Sequence, residues 1–136
     1  MKRITIDDLV GKIAMKAGVS EDLARVGTLC IGVGIDHALA ETGVAGEVPI
    51  KTTGAFLLPN LTREGLITMV MGGGPFTRLQ AEQVVRSAQR YLVEAIKEDP
   101  SVEVENLGLF QVPPGTVDIG PDSPLLFQPF SFHAIP

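Results

Sequence analysis

The 136 residues amount to one domain, long enough to bury a core of its own. There are 16 acidic against 11 basic residues, a net charge of −5, and 45% of the chain is hydrophobic; this excludes a disordered polar chain and is far from the basic composition of a general nucleic-acid binder. The single cysteine, Cys30, excludes an intrachain disulfide and a cysteine cage for a metal, and Asp36 ends the apolar run from Val26 before it reaches the roughly 18 residues of a membrane span.

Thr5 and Asp8 form a capping-box pattern ahead of Ile6, Leu9, Val10, Ile13 and Ala17, which recur at helical spacing until Gly18 supplies a stop. Ser20, followed by Glu21 and Asp22, caps a second helix running to about Thr42. Its middle, Gly27-Thr28-Leu29-Cys30-Ile31-Gly32-Val33-Gly34, is apolar on nearly every side and carries three glycines. An interior glycine costs a helix about 1 kcal/mol relative to alanine, so close approach of another backbone is expected, within the chain or from a second subunit. Residues 47–51 read as a strand leading to Gly54-Ala55-Phe56, and Leu66-Ile67-Thr68-Met69-Val70-Met71 as the returning strand of a hairpin. Gly72-Gly73-Gly74-Pro75 reads as a linker. Thr77 with Gln80 caps a further helix with an apolar stripe through Val84, Val85, Ala88, Leu92 and Ile96, on which Glu82 and Arg86 are placed to pair. Asp99-Pro100 ends it. Residues 102–105 alternate as a half-buried strand before Leu107-Gly108-Leu109-Phe110, and the Pro-rich residues 116–136 fit an edge strand and an apolar tail.

A shift of the chain by 54 residues places Val48 on Val102, Ile50 on Val104, Gly54 on Gly108, Phe56 on Phe110 and Pro59 on Pro113, with the preceding helices matching in character. The expected division is a helix-helix-hairpin unit over 1–71, a Gly/Pro linker at 72–76, and a helix-hairpin unit with an apolar tail over 77–136, the second unit lacking a first helix. Repeats of this length bury a shared face against each other.

Residues 4–58, from the run Ile6 to Ser20 through the long helix to Gly54-x-Phe56, resemble the start of the HU / integration host factor family, the bacterial histone-like proteins. Residues 77–112 resemble its helix and strand again, with Leu107 to Val112 the nearer strand match. The resemblance implies an α+β fold in which a helical base carries β-hairpins, doubled here like a fused dimer in one chain. It also implies architectural DNA binding, through basic arms that grip the minor groove and insert a proline. The arms themselves differ. The hairpin at 58–64 has one arginine, Arg63, beside Glu64, and the hairpin at 112–118 has no basic residue. From Asp99 to the end there are five acidic residues (Asp99, Glu103, Glu105, Asp118, Asp122) and no Lys or Arg, so this stretch offers no cation to a phosphate.

No constellation points to catalysis. His37 and His133 lie in no acid–base array, Cys30 reads as a buried structural thiol, and the glycines at 72–74 lack a phosphate-binding lysine. No cofactor, no metal and no membrane contact is expected. The expected function is a non-enzymatic assembly protein, cytoplasmic or part of a virus particle such as a head or connector. It would bind protein, its own copies or a larger assembly, through Leu125, Leu126, Phe127, Phe130 and Phe132. The alternative is an HU-type DNA-bending protein using Lys12, Lys16, Arg78, Arg86 and Arg90.

Overall fold

The structure, a computed structural model, describes residues 1–42, 48–51, 58, 60–116 and 123–129. It is an α+β fold with the order β1 (Lys2–Ile4), α1 (Ile6–Ala17), α2 (Glu21–Thr42), β2 (Val48–Lys51), α3 (Arg63–Gly73), α4 (Arg78–Glu98), β3 (Ser101–Val104), β4 (Gly108–Gln111) and β5 (Pro124–Pro129).

The caps set the helix boundaries. The Thr5 hydroxyl accepts from Asp8 N at 3.1 Å while Asp8 Oδ2 accepts from Thr5 N, and Gly18 ends α1 in the left-handed region at φ 67°. The Ser20 hydroxyl accepts from Leu23 N at the head of α2, and Thr77 and Gln80 form the capping box of α4.

The expected hairpin closing on 66–71 is corrected: those residues lie in α3. Thr62 caps the helix by accepting from Gly65 N, and Asn60 Nδ2 donates to the Ala38 carbonyl, tying the entry of α3 to the far end of α2. Leu66, Ile67 and Val70 are buried on one helical face. The apolar run 66–71 has a strand's composition, but its cap and its seat against α2 and α4 decide the outcome. Gly72 and Gly73 accordingly belong to α3, and the chain turns only at Gly74 and Pro75.

The helices form one interlocked layer. α1 and α3 each pack against both α2 and α4, and α2 and α4 pack against each other. Two of the three glycines in the middle of α2 are explained here. A Cβ on Gly27 would lie 2.8 Å from Val84 Cγ1, and one on Gly34 would lie 3.2 Å from Leu66 Cδ2 and Met69 Sδ. The close approach expected of this segment comes from α4 and α3 of the same chain.

The five strands form one sheet in the order β1-β3-β4-β5-β2, with β1 parallel to β3 and the other neighbours antiparallel. Strands from residues 1–71 thus flank the three strands of residues 77–136, and one core runs through both stretches. β5 is an inner strand, contrary to the edge position expected of it. Leu125 and Phe127 are fully buried, and the Phe127 ring stacks on Phe110 with centroids 4.6 Å apart.

The glycines predict a contrast. Gly11→Ala, with nothing within 4 Å of the new methyl, raises unfolding free energy by about 0.5–1 kcal/mol. Gly27→Ala makes the same change in helix propensity yet lowers stability, because the methyl is forced into Val84, an overpacking that costs about 1–3 kcal/mol. Urea titration of the two variants checks this; equal effects would contradict the packing described.

Candidate functional site

Helix α2 turns Ala24, Thr28, Ile31, Ile35, Ala38 and Leu39 inward and leaves an apolar strip outside. Leu29 is 58% exposed and Val33 57%, one helical turn apart. Beside them Gly32 forms the floor of a groove of about 300 Å³, walled by Ile6 at the start of α1 and by Glu105, Asn106 and Leu107 in the β3–β4 turn. That turn is sharp because Asn106 adopts φ 65°, a left-handed conformation that asparagine tolerates, and it folds Leu107 inward. Asp36 completes the lining. Glu105 has protein partners, accepting from Ile6 N at 3.2 Å and lying 3.6 Å from Arg3 Nη2. The groove is therefore aliphatic with an acidic rim, suited to an apolar side chain accompanied by a positive charge.

The cations expected to meet DNA are engaged to different degrees. Arg78 is bound to Glu64 through Nη2 at 2.6 and 2.7 Å and to Glu82 through Nε at 3.1 Å; the Glu64 bond, chiefly, holds its guanidinium above the ordinary value. Glu82 thus pairs with Arg78 instead of the expected Arg86. Lys12 sits over the Tyr91 ring, 5.7 Å from its centroid, linking α1 to α4. Lys16, Arg86 and Arg90 are exposed. Carboxylates also hold Lys2 (Glu98, 2.8 Å), Arg3 (Glu103, 3.1 Å) and Arg25 (Asp7, 2.8 Å).

The interface expected of the C-terminal tail is corrected in part: Leu125 and Phe127 belong to the core and Leu126 is half-buried in β5, while Phe130 and Phe132 lie outside the described residues. The tail's strand fills the gap between β4 and β2, and that position takes its apolar side chains. His37 Nε2 is 2.9 Å from Glu41 on the outer side of α2. Burial pushes the Cys30 thiol up, away from the thiolate needed for nucleophilic attack, and a Cβ on Gly73 would overlap its Sγ. Among the described residues no group of three or more His, Cys, Asp or Glu is placed to hold a metal ion. One helix among them, α2, is long and apolar enough to cross a membrane, and 44% of that window is buried in the fold.

Comparison with protein-family models, curated proteins and solved structures yields no match for this chain.

Sequence reading missed the groove, because Ile6 and Leu107 are distant in the chain and join it only through the sheet. The available signal was on α2: Leu29 and Val33 lie on the face opposite Ala24, Thr28, Ile31 and Ile35.

The ion pairs joining the N-terminal strand to the end of α4 carry a pH dependence. The bond from Lys2 holds the Glu98 carboxyl below its ordinary value, and the bond from Ser101 N, chiefly, does the same for Asp99. A depressed carboxyl stabilises the fold above its unfolded-state pKa, and that contribution disappears as pH falls through the folded-state value. Asp99→Asn is therefore less stable than the wild type at neutral pH, and the two converge in acid below the carboxylate range; thermal melts across pH check this, and a constant difference down to the lowest pH would contradict it.

Proposed function

We propose that this chain is a non-enzymatic assembly protein: an HU-like scaffold, internally doubled, that makes protein contacts in place of DNA contacts, as a component of a larger particle such as a virus head or connector. The doubling is supported by positions 57 residues apart. The caps Thr5 and Ser20 fall on Thr62 and Thr77, and the buried Leu9, Val10 and Ile13 of α1 fall on the buried Leu66, Ile67 and Val70 of α3. Likewise Ala24, Thr28, Ile31, Ile35, Ala38 and Leu39 of α2 fall on Ala81, Val85, Ala88, Leu92, Ala95 and Ile96 of α4, all buried. On this reading α3 is the first helix of the second copy. Each short helix then packs on the long helix of its own half and on that of the other, as two interlocked subunits would. On this reading the helices align at a shift of 57 residues and not at the 54 expected of them, the strands keep the shift of 54, and the connections absorb the difference of three.

One observation carries the turn from DNA to protein: acidic side chains occupy Lys2, Arg3, Arg25 and Arg78, while the apolar strip of α2 stands exposed beside a groove. Phosphate contacts supply most of the affinity of a non-specific DNA binder, and a cation whose charge is already offset by a neighbouring carboxylate attracts a phosphate less. A fold of this kind hosts many functions, so the surface decides between them.

Titration of a fluorescent duplex at low and moderate salt tests the reading. No saturable binding is expected in the micromolar range even at low salt. Submicromolar affinity that falls steeply with salt would overturn the assembly function and favour DNA bending through Lys12, Lys16, Arg86 and Arg90.

A further inference from the structure

We propose that the α2 groove is self-complementary, and that two copies of this chain pair through it with their α2 helices antiparallel; this rests on the assembly reading and names its first partner. The outer face of α2 carries Asp22, Arg25, Leu29, Gly32 and Asp36 at successive spacings of three, four, three and four residues, the seam of a two-helix contact. Asp22, Arg25 and Leu29 are exposed, and Gly32 and Asp36 are half-buried at the groove.

Charge chooses the direction. In a parallel pair each residue meets its own copy, so Asp22 faces Asp22, Arg25 faces Arg25 and Asp36 faces Asp36. In an antiparallel pair Arg25 faces Asp36 of the second copy, and Leu29 faces Gly32 of the second copy. The two-fold axis makes each contact twice. Arg25 already donates from Nη2 to Asp7 at 2.8 Å, and the remaining guanidinium N–H groups stay able to reach a second carboxylate.

Gly32 is the unexplained glycine of this helix. Gly27 and Gly34 lie close against neighbours in the same chain, but a Cβ at Gly32 would meet only Leu107 Cδ2 at 3.8 Å, an ordinary contact. Its lack of a side chain deepens the groove where Leu29 of the second copy would seat, between Ile6 and Leu107 and next to Asp36.

Sedimentation equilibrium of the full chain, with circular dichroism to verify folding, tests the pairing. The wild type should reach twice its 14.4 kDa mass at high micromolar concentration. Leu29→Glu, a change at an exposed position, should weaken the dimer at least tenfold while leaving the helical signal unchanged. Arg25→Asp and Asp36→Arg should each be monomeric alone, since each sets like charges opposite one another, and should form a dimer when mixed, since both cross-pairs are then opposite in sign. Recovery on mixing is not produced by a merely structural role of either residue. A wild type that stays monomeric, or an oligomer insensitive to Leu29→Glu, would overturn this pairing and leave the assembly reading standing, because that reading fails on DNA binding instead.

Discussion

The close contact between α2 and α4 at Gly27 governs the rest of the molecule. With hydrogen in place of a methyl group, Val84 reaches the α2 backbone and the two long helices lie against each other. α1 and α3 can then each bridge both long helices, and the single core that results extends under the sheet. Dense packing of this kind tolerates little change in volume at the crossing. The same inward commitment leaves α2 with an outer face that nothing in the described chain covers fully, and the groove lies there.

The helix ends were legible because their signals are local. Thr5 with Asp8, Gly18, Ser20 and Thr77 with Gln80 act within one turn, and the structure uses each of them as the residue pattern implies. The stretch 66–71 was not legible. Its run of Leu, Ile, Met and Val suits a buried strand or a buried helix equally, and the choice came from Thr62 and from packing against α2 and α4, which a local pattern does not contain. β1 has only three residues and exists through its parallel partner, β3. Leu125 and Phe127 of the apolar tail are covered by their own sheet and core, which a local pattern does not show. Arg78 shows the same limit for charge, since its bond to Glu64 joins the starts of α3 and α4, which are adjacent only once α3 is a helix.

Net charge acquires a different meaning once it is placed in space. An acidic excess of this size argues weakly about partners by itself. Here carboxylates of α1, α4 and β3 sit on Arg25, Lys2 and Arg3, and the acidic C-terminal stretch supplies three strands of the sheet without adding a single Lys or Arg. Apolar packing holds the fold together and exposed ion pairs decorate it, while the outer face of α2 borders a groove that is mainly aliphatic.

The central claim is that this scaffold recognises protein and not nucleic acid. Sedimentation velocity of the chain together with a labelled duplex at low salt tests it most directly. The duplex is expected to sediment at its own rate, unchanged by the protein. A duplex that moves with the protein, and is released as salt is raised, would contradict it.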